Sequence, residues 1–73
     1  IKMIECKEKL EILKKLNFLK HGVYSAEDIK KICHIKYQTE FVKMMLFEIA
    51  VKHPDRFRYT AYVDKSIDKF VVY

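Results

Sequence analysis

The apolar residues of this chain change their spacing at Pro54, and that change narrows the architecture more than any other feature. Beyond Pro54 the pattern alternates: Phe57, Tyr59, Ala61 and Val63 fall on one side of an extended segment, and Arg58, Thr60 and Tyr62 fall on the other. A polar stretch from Asp64 to Asp68 follows, and then Lys69-Phe70-Val71-Val72-Tyr73, a second run rich in β-formers. Two such runs joined by a short polar turn predict an antiparallel hairpin, pairing about 56–63 with 69–73.

Everything before Pro54 reads as helix. The first segment, about 3–21, repeats apolar residues at three- and four-residue steps (Met3, Cys6, Leu10, Leu13, Leu16), with Ile12 and Leu19 widening the stripe. Its opposite face is lysine and glutamate, with Glu11 spaced to pair with Lys15. His21-Gly22 is the expected stop, since glycine accepts the left-handed conformation found past helix ends. Ser25 is a good N-cap for a second helix over about 26–33, and Asp28 stands where a capping-box acid reaches back. A third helix is expected over about 38–52, ended by His53-Pro54 because proline disfavours helix at the residue before it. The expected core is Leu10, Leu13, Leu16, Ile29, Ile32, Val42, Met45, Ile49, Phe57 and Tyr59. Met44 and Phe47 then fall outside the inward face of the third helix.

A chain of 73 residues makes one domain with a modest core. The opening isoleucine suggests a start that is trimmed or cut from something longer. Only one glycine and one proline interrupt a sequence that is half apolar, which argues against disorder. Cys6 and Cys33 are too few for a disulfide framework and read as small buried hydrophobes of a reducing, intracellular compartment. No apolar run reaches membrane-spanning length, so no membrane association is expected. The formal charge is +5, with thirteen lysines and two arginines, and its excess sits mainly on the first helix. That balance is compatible with a nucleic-acid partner and equally with a solvated lysine-rich surface.

Short helix, three-residue turn and longer helix, here Ser25–Cys33, His34–Lys36 and Tyr37–Lys52, make a helix-turn-helix order. With the preceding helix and the following hairpin, the chain resembles a winged helix-turn-helix domain over nearly its whole length, in element order and apolar spacing. Family members usually carry glycine in the turn between the second and third helices, where this chain has Cys33-His34. The resemblance implies an α+β, mainly helical fold of three helices with a C-terminal hairpin wing. It also implies that the third helix reads duplex DNA with its N-terminal part in the major groove. On that basis Lys36, Tyr37, Gln38, Glu40 and Lys43 are candidate DNA contacts on the helix, Gln38 suited to adenine and Lys36 or Lys43 to guanine or phosphate. Lys65 and Ser66 at the wing tip, with Arg56 and Arg58 near its base, are candidate backbone contacts.

The histidines at 21, 34 and 53 stand at separate segment ends, and adjacent Cys33 and His34 project about 100° apart on a helix, which makes a poor chelate. There is no glycine-rich phosphate loop, nucleophile elbow or paired-carboxylate site, so no enzyme, metal or cofactor is expected. Two functions lead, with a virus- or plasmid-encoded inhibitor as a third. One is a DNA-binding winged helix, a small transcriptional regulator that dimerises. The other is a winged helix making protein contacts inside a transcription, replication or RNA-processing assembly. Met44 and Phe47 separate the two, because apolar side chains on the outer face of the third helix suit a protein interface better than a DNA groove.

Overall fold

The computed structural model describes residues 7–62 and 67–73. Among them the order is α1 (Lys7–Leu16), β1 (Gly22–Tyr24), α2 (Ala26–Ile32), α3 (Thr39–Lys52), β2 (Phe57–Tyr62) and β3 (Ile67–Val72). This is an α+β architecture: three helices and a three-stranded antiparallel sheet in the order β1-β3-β2. The hairpin forms, with Phe57 opposite Val72, Tyr59 opposite Phe70 and Tyr62 opposite Ile67. Its second strand begins at Ile67 and takes in Ile67 and Asp68, which the sequence assigns to the turn, because Tyr62 and Ala61 pair with them. The short strand β1 was not expected. It lays Gly22, Val23 and Tyr24 against Val72, Val71 and Phe70, which makes β3 the central strand.

One sheet face belongs to the core. Phe57, Phe70 and Val72 are buried there and Tyr59 packs beside them, with the Phe57 and Phe70 rings stacked at 5.2 Å. Against this face stand Val42, Met45, Leu46, Ile49 and Ala50 of α3, with Ile12 and Leu16 of α1, Ala26 and Ile29 of α2 and Ile35 closing the core.

Two expected core residues are exposed: Leu10 and Ile32 are each 54% accessible. On α1 the inward phase is Lys9, Ile12 and Leu16, with Leu13 half-buried at its flank. The Lys9 side chain is buried with its ammonium 3.5 Å from Glu48 Oε1 of α3, so an ion pair fills a core-facing position. A purely apolar stripe cannot register a lysine there. Helix α1 also ends at Leu16, earlier than expected, through a tightened turn in which the N–H groups of Asn17, Phe18 and Leu19 bond to the carbonyls of Leu13, Lys15 and Leu16. Gly22 thus opens β1 and is not the cap of α1.

Helix α2 begins as its sequence indicates. The Asp28 N–H donates to Ser25 Oγ at 3.1 Å, and the Ser25 N–H donates to Asp28 Oδ2 at 3.3 Å, a complete capping box. Its end explains the missing glycine. The Ile35 N–H reaches back to Lys30 O at 3.0 Å, a Schellman closure around Cys33 and His34. That closure puts His34 at φ 55°, in the left-handed region that costs most residues about 1–2 kcal/mol. Lys15 Nζ donates to His34 O at 3.3 Å and ties the turn to α1. Replacing His34 by glycine removes the steric cost but loosens the unfolded chain, for a net gain of about 0.5–1 kcal/mol. For a domain of this size His34→Gly should raise the melting temperature by about 2–8 °C; a melt at or below the parent value would contradict this account of the turn.

Candidate functional site

The residues nominated for DNA contact separate into three groups. Lys36, Gln38 and Glu40 are exposed at the start of α3, where Gln38 holds the N-cap position without using its side chain to cap. Tyr37 and Lys43 are engaged. Tyr37 turns onto α1, its hydroxyl donating to Glu11 Oε2 at 2.6 Å and its ring meeting Phe41 edge-on at 5.4 Å. Lys43 is half-buried with its ammonium 3.8 Å from Glu40 Oε1, and it shares a cleft with Glu27 and Asp68. Acids around that ammonium offset the charge a phosphate would need.

Arg56 and Arg58 differ from each other. The Arg56 guanidinium donates to Asn17 Oδ1 and lies 4.8 Å above the Phe57 ring. These contacts brace the start of β2 against the segment that follows α1. Arg58 is exposed and forms no ion pair among the described residues. Lys65 and Ser66 lie outside the described residues.

The outer side of α3 carries the largest departure from an ordinary solvated helix. Met44, Phe47 and Val51 are 52, 57 and 51% exposed and follow one another at three- and four-residue steps. They form one stripe on the side opposite Val42, Met45 and Ile49. The helical wheel thus places Met44 and Phe47 correctly and omits Val51. From this stripe a groove of about 340 Å³ opens between α3 and β2, lined by Phe47, Ala50, Val51, Phe57, Arg58 and Tyr59 with Pro54 and Tyr73 at its end. Nothing in the sequence marks that groove, because it depends on how the hairpin leans on α3. A second apolar patch surrounds Phe18, which is 89% exposed just past α1 and borders a smaller hollow with Leu19 and Ile32.

A polar junction fixes the hairpin to the helices. One carboxylate oxygen, Asp68 Oδ2 on β3, accepts the Ala26 N–H at the start of α2 at 2.7 Å and the Tyr59 hydroxyl of β2 at 2.9 Å. Burial, the bond to Asp68 and the negative charges of Asp68 and Glu40 hold the Tyr59 phenol well above the usual tyrosine range. Cys33 sits half-buried with its thiol 3.9 Å from Lys15 O, and burial raises its pKa, as suits a packing residue and not a reactive thiolate. Among the described residues no cluster of three His, Cys, Asp or Glu side chains could hold a metal ion, and no helix is long and apolar enough to cross a membrane. No protein-family model, curated protein or solved structure matches the chain.

The junction has a pH signature. Tyr59 has a raised folded-state pKa, so its contribution is complete below about pH 10, where the phenol is protonated in both states. It is lost as pH rises further, because the unfolded chain ionises first. At neutral pH Tyr59→Phe should cost about 1–2 kcal/mol, the net value of a hydrogen bond to a charged acceptor at a partly exposed site. Urea unfolding of both proteins between pH 8 and 11 should show that difference shrinking above about pH 10. A constant difference would mean that Asp68 does not hold Tyr59 through its proton.

Proposed function

We propose that this chain is a winged-helix domain that docks onto another protein through the outer face of α3. Support for the fold comes from the element order: a helix pair joined by a tight turn, followed by a hairpin that returns to pair with a short strand ahead of α2. The docking reading rests on one observation, the exposed stripe of Met44, Phe47 and Val51 on the helix that the fold would present to a partner. Leaving such side chains in water forgoes about 1.5–3 kcal/mol of burial for each one fully covered. Methionine also adapts to irregular apolar surfaces, which suits an interface.

A second reading, duplex DNA, draws on the exposed Lys36 and Gln38 at the start of α3, on the exposed Arg58, which has no ion pair among the described residues, and on the +5 charge. It is weaker on this surface, because a groove-facing helix depends on polar and basic side chains. Here Lys43 is paired with Glu40 and the outer stripe is apolar.

Two variants separate the readings. Phe47→Lys and Met44→Glu change half-exposed positions, so melting temperatures should stay within about 3 °C of the parent value. Each should lower affinity at least about tenfold for a protein partner captured by the parent domain, then purified and titrated back. Neither should alter binding to a mixed-sequence duplex. The docking proposal fails if those variants leave partner binding intact. It also fails if the domain binds duplex with steep salt dependence that Lys36→Ala weakens and Phe47→Lys does not.

A further inference from the structure

The groove beside α3 borders a sheet edge, and that edge specifies the shape of what would enter it. In the order β1-β3-β2 the strand β2 has β3 on one side and no strand of the described residues on the other. The Tyr73 N–H donates to Arg56 O at 3.0 Å. In the register that sets Phe57 opposite Val72, Arg56 and Tyr73 are the next pair outward. Bonded and non-bonded pairs alternate along an antiparallel ladder, so Arg58, Thr60 and Tyr62 turn their backbone groups toward β3. Phe57, Tyr59 and Ala61 turn theirs outward. The Phe57 N–H is taken by His53 O at 3.0 Å. The N–H and C=O groups of Tyr59 and Ala61 therefore stand in the open edge, next to the groove lined by Phe47, Ala50, Val51 and Tyr59.

The two faces of the edge differ in chemistry. Toward α3 an added strand would meet Phe47, Val51 and Tyr59. Strand alternation assigns Arg58 and Thr60 to the opposite face, with Lys69 on β3 beside Thr60, and Arg58 stands at the rim, where it also borders the groove. That face carries two cations, Arg58 and Lys69, among the apolar side chains of Tyr62, Ile67 and Val71, and Arg58 has no ion-pair partner among the described residues. We infer that the site takes an extended segment of a partner protein, adding as a strand to β2, with apolar side chains at alternate positions packed on α3 and acidic side chains between them facing Arg58. A second copy of the chain fits less well, since it would bring the cations of one sheet face beside those of another and join two chains of like net charge. This inference rests on the docking proposal and adds the partner's conformation and charge.

The experiment uses the full chain and capped eight-residue peptides with valine or phenylalanine at alternate positions and glutamate between. Matched peptides carry lysine for glutamate, or N-methyl groups on the backbone nitrogens that would face β2. The glutamate peptides should bind at least about tenfold more tightly than the lysine peptides, and Arg58→Glu should invert that preference. N-methylation should abolish binding. In NMR hydrogen exchange the Tyr59 and Ala61 amides should gain the most protection on binding, while those of Arg58 and Thr60, already paired with β3, should gain less. Failure of the glutamate peptides to bind, or binding without protection at Tyr59 and Ala61, overturns the inference. So does protection that grows with protein concentration alone, which would assign the edge to a second copy. Loss of duplex binding in Arg58→Glu, with no peptide binding by the parent, would assign the arginine to nucleic acid and overturn it as well. If Phe47→Lys loses a protein partner while every peptide fails, α3 docking stands and strand addition falls.

Discussion

Helix α3 is the member on which the rest of the structure depends. It packs against α1, α2 and β2, and it contributes five buried residues, Val42, Met45, Leu46, Ile49 and Ala50. A helix with apolar side chains around most of its circumference is stable only where neighbours cover it. Here three elements cover all but one strip. That strip holds Met44, Phe47 and Val51, which stay about half exposed although β2 packs on α3 beside them. The composition that makes α3 a good core helix therefore also makes its free side an apolar surface. The core and the exposed apolar strip arise from the same segment.

What the sequence revealed follows from which signals are local. The switch of period at Pro54, the Ser25–Asp28 cap and the end of α3 at His53 each depend on neighbouring residues, and each is found where expected. β1 escaped notice because three residues carry no measurable period, and Gly22, Val23 and Tyr24 become a strand only by meeting Val72, Val71 and Phe70 from the far end of the chain. The phase of α1 was misjudged for a related reason. Leu10 lies outside and Lys9 inside because Glu48 on α3 receives the lysine, and that partner is 39 positions away. A paired lysine can occupy an inward position that an isolated one could not, so charge type alone is a poor guide to which side a residue faces. His34 shows the converse: a local rule, glycine past the end of a helix, is broken because the Ile35–Lys30 bond and the Lys15 contact hold the turn in place.

The candidate site was legible in part. The periodicity of α3 alone places Met44 and Phe47 outward, while Tyr37 and Arg56 look like free contacts until Glu11 and Asn17 are seen to occupy them. Those ties decide how the charge of the chain should be read. A net +5 suggests a polyanion partner when the cations are free and clustered. Here Lys9, Lys15 and Lys43 lie beside Glu48, Glu11 and Glu40, and the largest share of the basic excess falls in the first 21 residues (six lysines against three glutamates), while α3 has two lysines against two glutamates. The same arrangement of helices and hairpin can serve either partner, so the surface of α3 carries more weight than its fold.

The junction at Asp68 bears on how a ligand at the sheet edge would be felt elsewhere. Tyr59 presents its backbone to the open edge and its hydroxyl to Asp68, and the same carboxylate oxygen holds the first N–H of α2. A strand added to β2 would order the Tyr59 backbone directly. Through Asp68 that order would extend to the start of α2, a helix of only seven residues. Such a short helix depends on its caps and on tertiary contact for its existence. An interface on the hairpin edge is thus coupled to the least self-sufficient helix of the domain through a single oxygen atom, and binding there should stabilise α2 as well as the sheet.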